Sequence, residues 1–186
     1  MIREPANNTA PGSSIVLLRG VNVGGNRSFR PSVLAEQLKD LDVANLGAAG
    51  TFVVHKPLPE KELRAAFLHC LPFETEIIIV SQEEFLRLRS ANPHMGQDTP
   101  AGTTRFVSFL AALPTAPPPL PLYLPDPEAP LLHIQELQDR FVFGTYQRNT
   151  KAISLLGRLD RLFGCTATTR NWNTVTAILK VLENEE

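Results

Sequence analysis

Short apolar runs alternate along the chain with segments whose apolar residues recur every three or four positions. That alternation predicts strands and helices in turn. The run "SIVLLR" (residues 14–19) is apolar through its centre, as a central strand buried on both faces would be. "RPSVLAEQLKDL" follows, with Pro31 suited to a first helical turn and Val33, Leu34, Leu38 and Leu41 forming one stripe. "VANLGAAGTFVVH" reads as two short strands turning at Ala48 to Gly50. In "PEKELRAAFLHCL", Leu63, Ala66, Phe67 and Cys70 share a helical face and Pro72 ends the helix; "ETEIIIV" is a further buried strand. The order is βαββαβ, that of the ferredoxin-like split-βαβ arrangement.

The second half approximates the first. Ser81, with Glu84 three residues on, opens a short helix as a capping box. "TTRFVSFLAAL" then predicts a strand. Eight of the sixteen prolines fall between Pro114 and Pro130, in a stretch read as an extended surface crossing. "APLLHIQ" and "DRFVFGTYQ" resemble a strand pair. "NTKAISLLGRLDRLFG" reads as one amphipathic helix capped by Thr150 and closed by Gly164. "CTATT" makes a last short strand, and an appended helix places Trp172, Val175, Leu179 and Leu182 on one face, with Trp172 as a core anchor. The expected fold is α+β: duplicated ferredoxin-like (βαββαβ) halves with an extra C-terminal helix. Its expected parts are a loose tail (1–13), a first subdomain (14–91), a linker loop (92–102) and a second subdomain (103–186).

Composition narrows the functions available. The 186 residues carry a formal net charge of -1, so there is no global basic field of the kind that non-specific duplex binding draws on. Two cysteines, Cys70 and Cys165, lie far apart without a CxxC spacing, and the four histidines show no ligand spacing. No metal or cofactor is expected. Absence of a long apolar run and of a signal-peptide core points to a cytoplasmic protein with no membrane partner.

Two segments concentrate arginine, glycine and asparagine. In "LLRGVNVGGN", Arg19, Gly20, Asn22, Gly24, Gly25 and Asn26 sit between a strand and a helix, where backbone N–H groups can meet an anion. The spacing matches neither GxxxxGK[ST] nor GxGxxG, and the same residues also suit a tight, internally bonded connection. Arg19 ends an apolar run, so its guanidinium must reach solvent, a carboxylate or a bound anion. In "TATTRNWNT", Thr168, Thr169, Arg170, Asn171 and Asn173 lead into the final helix. A cation beside a helix N-terminus is unfavourable unless an anion answers it. Convergence of the two segments on one small anion is the structural expectation.

The phrases "LLRGVNVGG" and "ATTRNWNTV", in this order, resemble the bacterial proteins grouped as domain of unknown function 1697. That resemblance spans nearly the whole chain after the tail and implies a duplicated α+β architecture. It brings no activity, cofactor or catalytic set. Where such proteins carry a Ser-Gly-Asn turn, this chain has Ala49, Gly50 and Thr51.

Three classes of function stay open. The first is a module binding a small anion or nucleotide; a nucleic acid is disfavoured because the predicted sheet lacks stacking aromatics. The second is an enzyme on a phosphorylated or nucleotide-like metabolite, although neither segment supplies Asp, Glu, His or Lys as a base. The third is a protein-interaction domain docking through the 114–130 proline-rich stretch or the 92–102 loop.

Overall fold

The computed structural model describes residues 12–22, 29–90 and 99–184. The chain divides into two compact units, Met1–Arg87 with Ile178–Glu186, and Leu88–Ala177. It is an α+β protein with two antiparallel sheets.

In the first unit strand β1 (Ser14–Leu18) leads to helix α1 (Pro31–Gln37) and a 3-10 turn (Lys39–Leu41). Strands β2 (Val43–Asn45) and β3 (Thr51–Val54), helix α2 (Glu60–Cys70) and strand β4 (Ile77–Ser81) follow. The sheet order is β2-β3-β1-β4. Alternate residues of its three longest strands, Val16, Leu18, Phe52, Val54, Ile77 and Ile79, meet Leu34, Leu38, Leu63 and Phe67 from the helices in one core. Each such side chain contributes about 1.5–3 kcal/mol by leaving water. Pro31 stands at the start of α1, and Glu60 and Glu62 occupy the first turn of α2, where the helix dipole favours acids. Of the expected α1 stripe, Leu34 and Leu38 are buried, whereas Val33 is half exposed. Gly50 turns the chain into β3 with φ +67°, and a Cβ there would stand 2.6 Å from Val21 Cγ2, so both conformation and space require glycine.

Helix α3 (Gln82–Ser90) follows β4, and Ser81 Oγ accepts from the Glu84 N–H as a capping residue does. The second unit then contains β5 (Thr103–Leu110), β6 (Leu122–Leu124), β7 (Leu132–Gln138), β8 (Phe141–Gln147), helices α4 (Thr150–Leu156) and α5 (Leu159–Phe163), and β9 (Ala167–Asn171). Helix α6 (Trp172–Glu183) comes last. The sheet order is β6-β7-β8-β5-β9. Phe106, Leu110, Leu132, Ile134 and Val142 pack with Leu159 and Phe163.

The proline-rich stretch is mostly exposed, passes through several bends and adds the three-residue edge strand β6, the sheet position that tolerates proline best. There Tyr123 stacks on His133 of β7, ring centroids 4.3 Å apart. Two local expectations are corrected. The single helix up to Gly164 is two, α4 and α5, separated at Gly157 and Arg158. Its cap is Asn149 rather than Thr150: the Asn149 backbone is extended and Oδ1 accepts from Ala152 N–H at 2.9 Å, while Thr150 is already helical. Gly164 closes α5 with φ +69°. Among the described residues, no helix is long and apolar enough to cross a membrane.

Candidate functional site

The first distinctive segment leaves the C-terminal end of β1. Arg19 Nη1 meets Glu76 Oε2 at 2.7 Å, and the Arg19 backbone bonds Glu76 and Thr75. Gly20 and Asn22 both have positive φ, 61° and 55°. Asn22 Nδ2 donates to the Ala48 carbonyl at 2.7 Å, and its Oδ1 accepts from Phe29 N–H at 2.9 Å. Asn22 therefore ties both ends of the β1–α1 connection to the β2–β3 turn. Gly24, Gly25 and Asn26 lie outside the described residues, as do residues 1–11 of the tail and 91–98 of the loop around His94.

This brace makes a measurable prediction. Asn22→Ala removes two hydrogen bonds of about 0.5–1.5 kcal/mol each. It also puts alanine in the left-handed region at about 1–2 kcal/mol. Urea unfolding is expected to show a loss of about 3 kcal/mol, with Asn22→Gly losing roughly 1 kcal/mol less because glycine relieves the backbone term.

The second segment begins inside the sheet. Thr168, Thr169, Arg170 and Asn171 belong to β9, paired with Phe109, Ser108, Val107 and Phe106 of β5. Strand alternation then sets their fates. Thr168 and Arg170 point to a buried side, each 5% exposed, while Thr169 Oγ1 meets Ser108 Oγ. Arg170 Nη1 donates to Thr168 Oγ1 at 2.9 Å and to the Thr169 carbonyl at 2.8 Å. Burial pulls the Arg170 pKa down to about 10. Asn171 caps α6: Oδ1 accepts from the Thr174 N–H at 2.9 Å and from its hydroxyl at 3.0 Å. Arg170 is thus a buried strand residue rather than a surface cation at the helix start.

Asn171 and Asn173 open onto a cleft of about 790 Å³ in the second unit. Topology creates it. Strands β8 and β9 are both antiparallel to β5, so they run parallel to one another on its two sides. Their C-terminal ends, and the starts of α4 and α6, therefore gather around the N-terminal end of β5. Arg105 comes from β5, Tyr146 from β8, Arg148 and Asn149 from the β8–α4 junction, and Trp172 from the first position of α6. Thr99, Thr103, Thr104, Thr150 and Ile153 complete the lining. Arg148 Nε donates to Thr104 Oγ1 at 3.0 Å, a neutral acceptor. Among the described residues, the lining includes Arg105 and Arg148 and no acid, lysine, histidine or cysteine. Such a surface attracts and hydrogen-bonds anions, and its hydroxyl and amide groups suit oxygen-rich ligands.

Sequence reasoning reached Asn171 and Asn173 but missed Arg105, Arg148 and Tyr146. Their signal was present: "TTR" opens a strand and "QRNT" closes another, both polar ends of apolar runs. Trp172, expected in the core, is half-buried and lines the cleft instead. Thr168, Thr169 and Arg170 are not among the lining residues. Among the described residues, no three of His, Cys, Asp and Glu are grouped to hold a metal ion.

The sequence model of a family described as protein of unknown function, DUF1697, matches residues 12–120. No curated protein matches the chain. Among solved structures, a conserved bacterial protein from Streptococcus pneumoniae is similar at a TM-score of 0.60 and 17% identity. The match covers 92% of this chain and 98% of that one, a likeness of fold.

Proposed function

This chain belongs to the DUF1697 family of proteins of unknown function, and from that premise we propose that it is a binding module for a small anion, held in the cleft of the second unit. The observation that carries this reading is the make-up of the lining, in which Arg105 and Arg148 stand among hydroxyl and amide side chains and the described residues include no Asp or Glu. The N-terminal end of the twelve-residue helix α6 adds a partial positive charge of the same sign. A binding role is favoured over an enzyme because the described lining residues include no carboxylate, imidazole, thiol or amine to serve as general base or nucleophile.

The finer architecture is read as duplicated ferredoxin-like halves. Strands β7-β8-β5-β9 repeat the order of β2-β3-β1-β4, with the proline-rich crossing standing where α1 stands in the first half. That equivalence supports a division of labour between the halves. In the first, the segment bearing Arg19, Gly20 and Asn22 braces a connection; in the second, the strand-to-helix junctions carry the anion site.

Thermal unfolding in inorganic phosphate tests the reading. Phosphate at 100 times its dissociation constant is expected to stabilise the parent by about 2.7 kcal/mol. Arg105→Ala and Arg148→Ala each remove a charge-assisted contact of about 1.5–3 kcal/mol, so each is expected to weaken phosphate binding by roughly 10- to 100-fold. Arg19→Ala is expected to leave the phosphate shift intact. A shift that survives loss of both Arg105 and Arg148 would place the anion elsewhere.

A further inference from the structure

We infer that the anion bound in this cleft is the charged group of an anionic sugar, a phosphate or a carboxylate that meets Arg148 while the sugar ring lies against Tyr146 and Ile153. This rests on the anion-binding reading and adds the identity of the rest of the ligand. Strand register carries the first step. Tyr146 of β8 stands opposite Thr104 of β5, so the two share one face of the sheet. Arg148 lies two residues beyond Tyr146, just past the end of β8, where its N–H bonds the Gly102 carbonyl at 3.2 Å. Its Nε reaches Thr104 Oγ1 at 3.0 Å, which keeps the guanidinium on the Tyr146 side. Helix α4 belongs to that side too: Leu155 and Leu156, like Tyr146, pack against the cluster that contains Phe106 and Leu132.

The second observation is the apolar surface left open there. Tyr146 is half-buried, with the Phe106 ring centroid 6.0 Å from its own. Ile153 lines the same cleft from α4 and is 51% exposed. An aromatic ring and a branched aliphatic chain suit the C–H face of a sugar ring.

The third is hydrogen-bonding capacity. Among the described residues Arg148 engages only Nε, so both Nη groups are donors for an oxyanion. Thr104 Oγ1 accepts from Arg148 and keeps its own proton to donate. The hydroxyls of Tyr146 and Thr150 are on the same lining and have no partner among the described residues. A hydroxyl both donates and accepts, and so pairs with sugar hydroxyls in either sense. A bare phosphate would leave the ring and the isoleucine unused. An alkyl phosphate would cover the hydroxyls without answering them, at the cost of their hydrogen bonds to water.

The experiment titrates the full chain by calorimetry with glucose 6-phosphate, ribose 5-phosphate, glucuronate, butyl phosphate and inorganic phosphate. At least one of the three sugars is expected to bind roughly tenfold more tightly than both butyl phosphate and inorganic phosphate, the effect of two neutral hydrogen bonds. A sugar phosphate in first place assigns the charged group as phosphate, and glucuronate in first place assigns it as carboxylate. Thr150→Ala and Ile153→Ser change exposed side chains, and each is expected to cut that preference about two- to tenfold. Arg148→Ala is expected to weaken sugar phosphate and inorganic phosphate alike, so that affinity falls while the ratio survives. Butyl or inorganic phosphate binding as tightly as every sugar would overturn the sugar assignment and leave the anion site standing. A preference that both Thr150→Ala and Ile153→Ser leave unchanged would put the sugar elsewhere and overturn it too. Binding of none would overturn both readings.

Discussion

Gly144→Ala is expected to lower stability by about 3 kcal/mol, the upper part of the range for overpacking a well-filled interior. Gly144 is buried in β8, between Phe106 of β5 and Ile134 of β7. A Cβ there would fall onto the His133 carbonyl oxygen and stand 2.8 Å from Phe106 Cε1. One obstacle is backbone of the neighbouring strand, and the other is a ring with no exposed surface, so neither yields cheaply. Glycine in a strand interior is ordinarily a weakness, and here it marks a close backbone approach. The approach lies beside an irregularity in the β7–β8 register, between Ile134 and Glu136.

The consequence extends to the cleft. Phe106 supports Tyr146, so a displaced Phe106 ring also moves one wall of the proposed site. Urea unfolding gives the stability term, and phosphate affinity measured on the folded variant gives the second. An unchanged midpoint would mean that the bulged strand slides aside without loss.

The second large effect concerns Arg170. Its guanidinium is protonated in both folded and unfolded chains at neutral pH, but burial pulls the folded pKa down to about 10. At neutral pH that difference corresponds to roughly 3 kcal/mol against the folded state. Hydrogen bonds to Thr168 and to the Thr169 carbonyl oppose it, at about 1.5–3 kcal/mol for a charged donor. Arg170→Met is therefore expected to fall within about 2 kcal/mol of the parent at pH 7, as replacements of buried charges by apolar side chains often do.

The sign of the pH dependence follows from proton binding. Below pH 10 both states keep the proton, and the penalty is constant. Above about pH 10 the folded chain releases its proton first, so the unfolded chain binds more, and the stability contributed by this group rises with pH. The difference between parent and Arg170→Met, from urea unfolding at several pH values, is expected to be flat from pH 7 to 9 and to turn in favour of the parent above pH 10. A difference flat to pH 11 would show that the folded protein keeps the Arg170 proton as firmly as the unfolded chain does.

Arg19 and Arg170 show where local reading stops. In sequence they look alike, each closing a run of residues that prefers a strand. Arg19 falls one residue past the end of β1, reaches the surface and meets Glu76, fifty-seven positions away. Arg170 falls within β9 at an alternation step shared with Thr168, and that step points to a buried side. A shift of one residue in register exchanges the two faces of a strand, and register is set by partners far away in the chain. Trp172 differed from expectation for a related reason. A helical stripe assumes cover along the whole helix, and the first residue of α6 lies at the end of the sheet, where the cleft opens.

The residues dictate local structure through burial and backbone freedom. The apolar runs Ile15–Leu18 and Ile77–Val80 read as buried strands because they are β-branched or aliphatic, bounded by polar residues and too short for a helix. Pro31 opens a helix, Pro72 follows the end of another and Gly164 closes a third, because their backbones allow little else or, for glycine, allow what others cannot. Tertiary structure alone decided the site. Arg105 and Arg148 lie forty-three positions apart and share one cleft because β5 and β8 pair antiparallel, Thr103 opposite Gln147. That pairing is the joint result of every strand competing for its neighbours, including the glycine that lets β7, β8 and Phe106 close together. No window of sequence contains that competition, so the arginines were legible as residues and came to line one cleft only when the sheet aligned their strands.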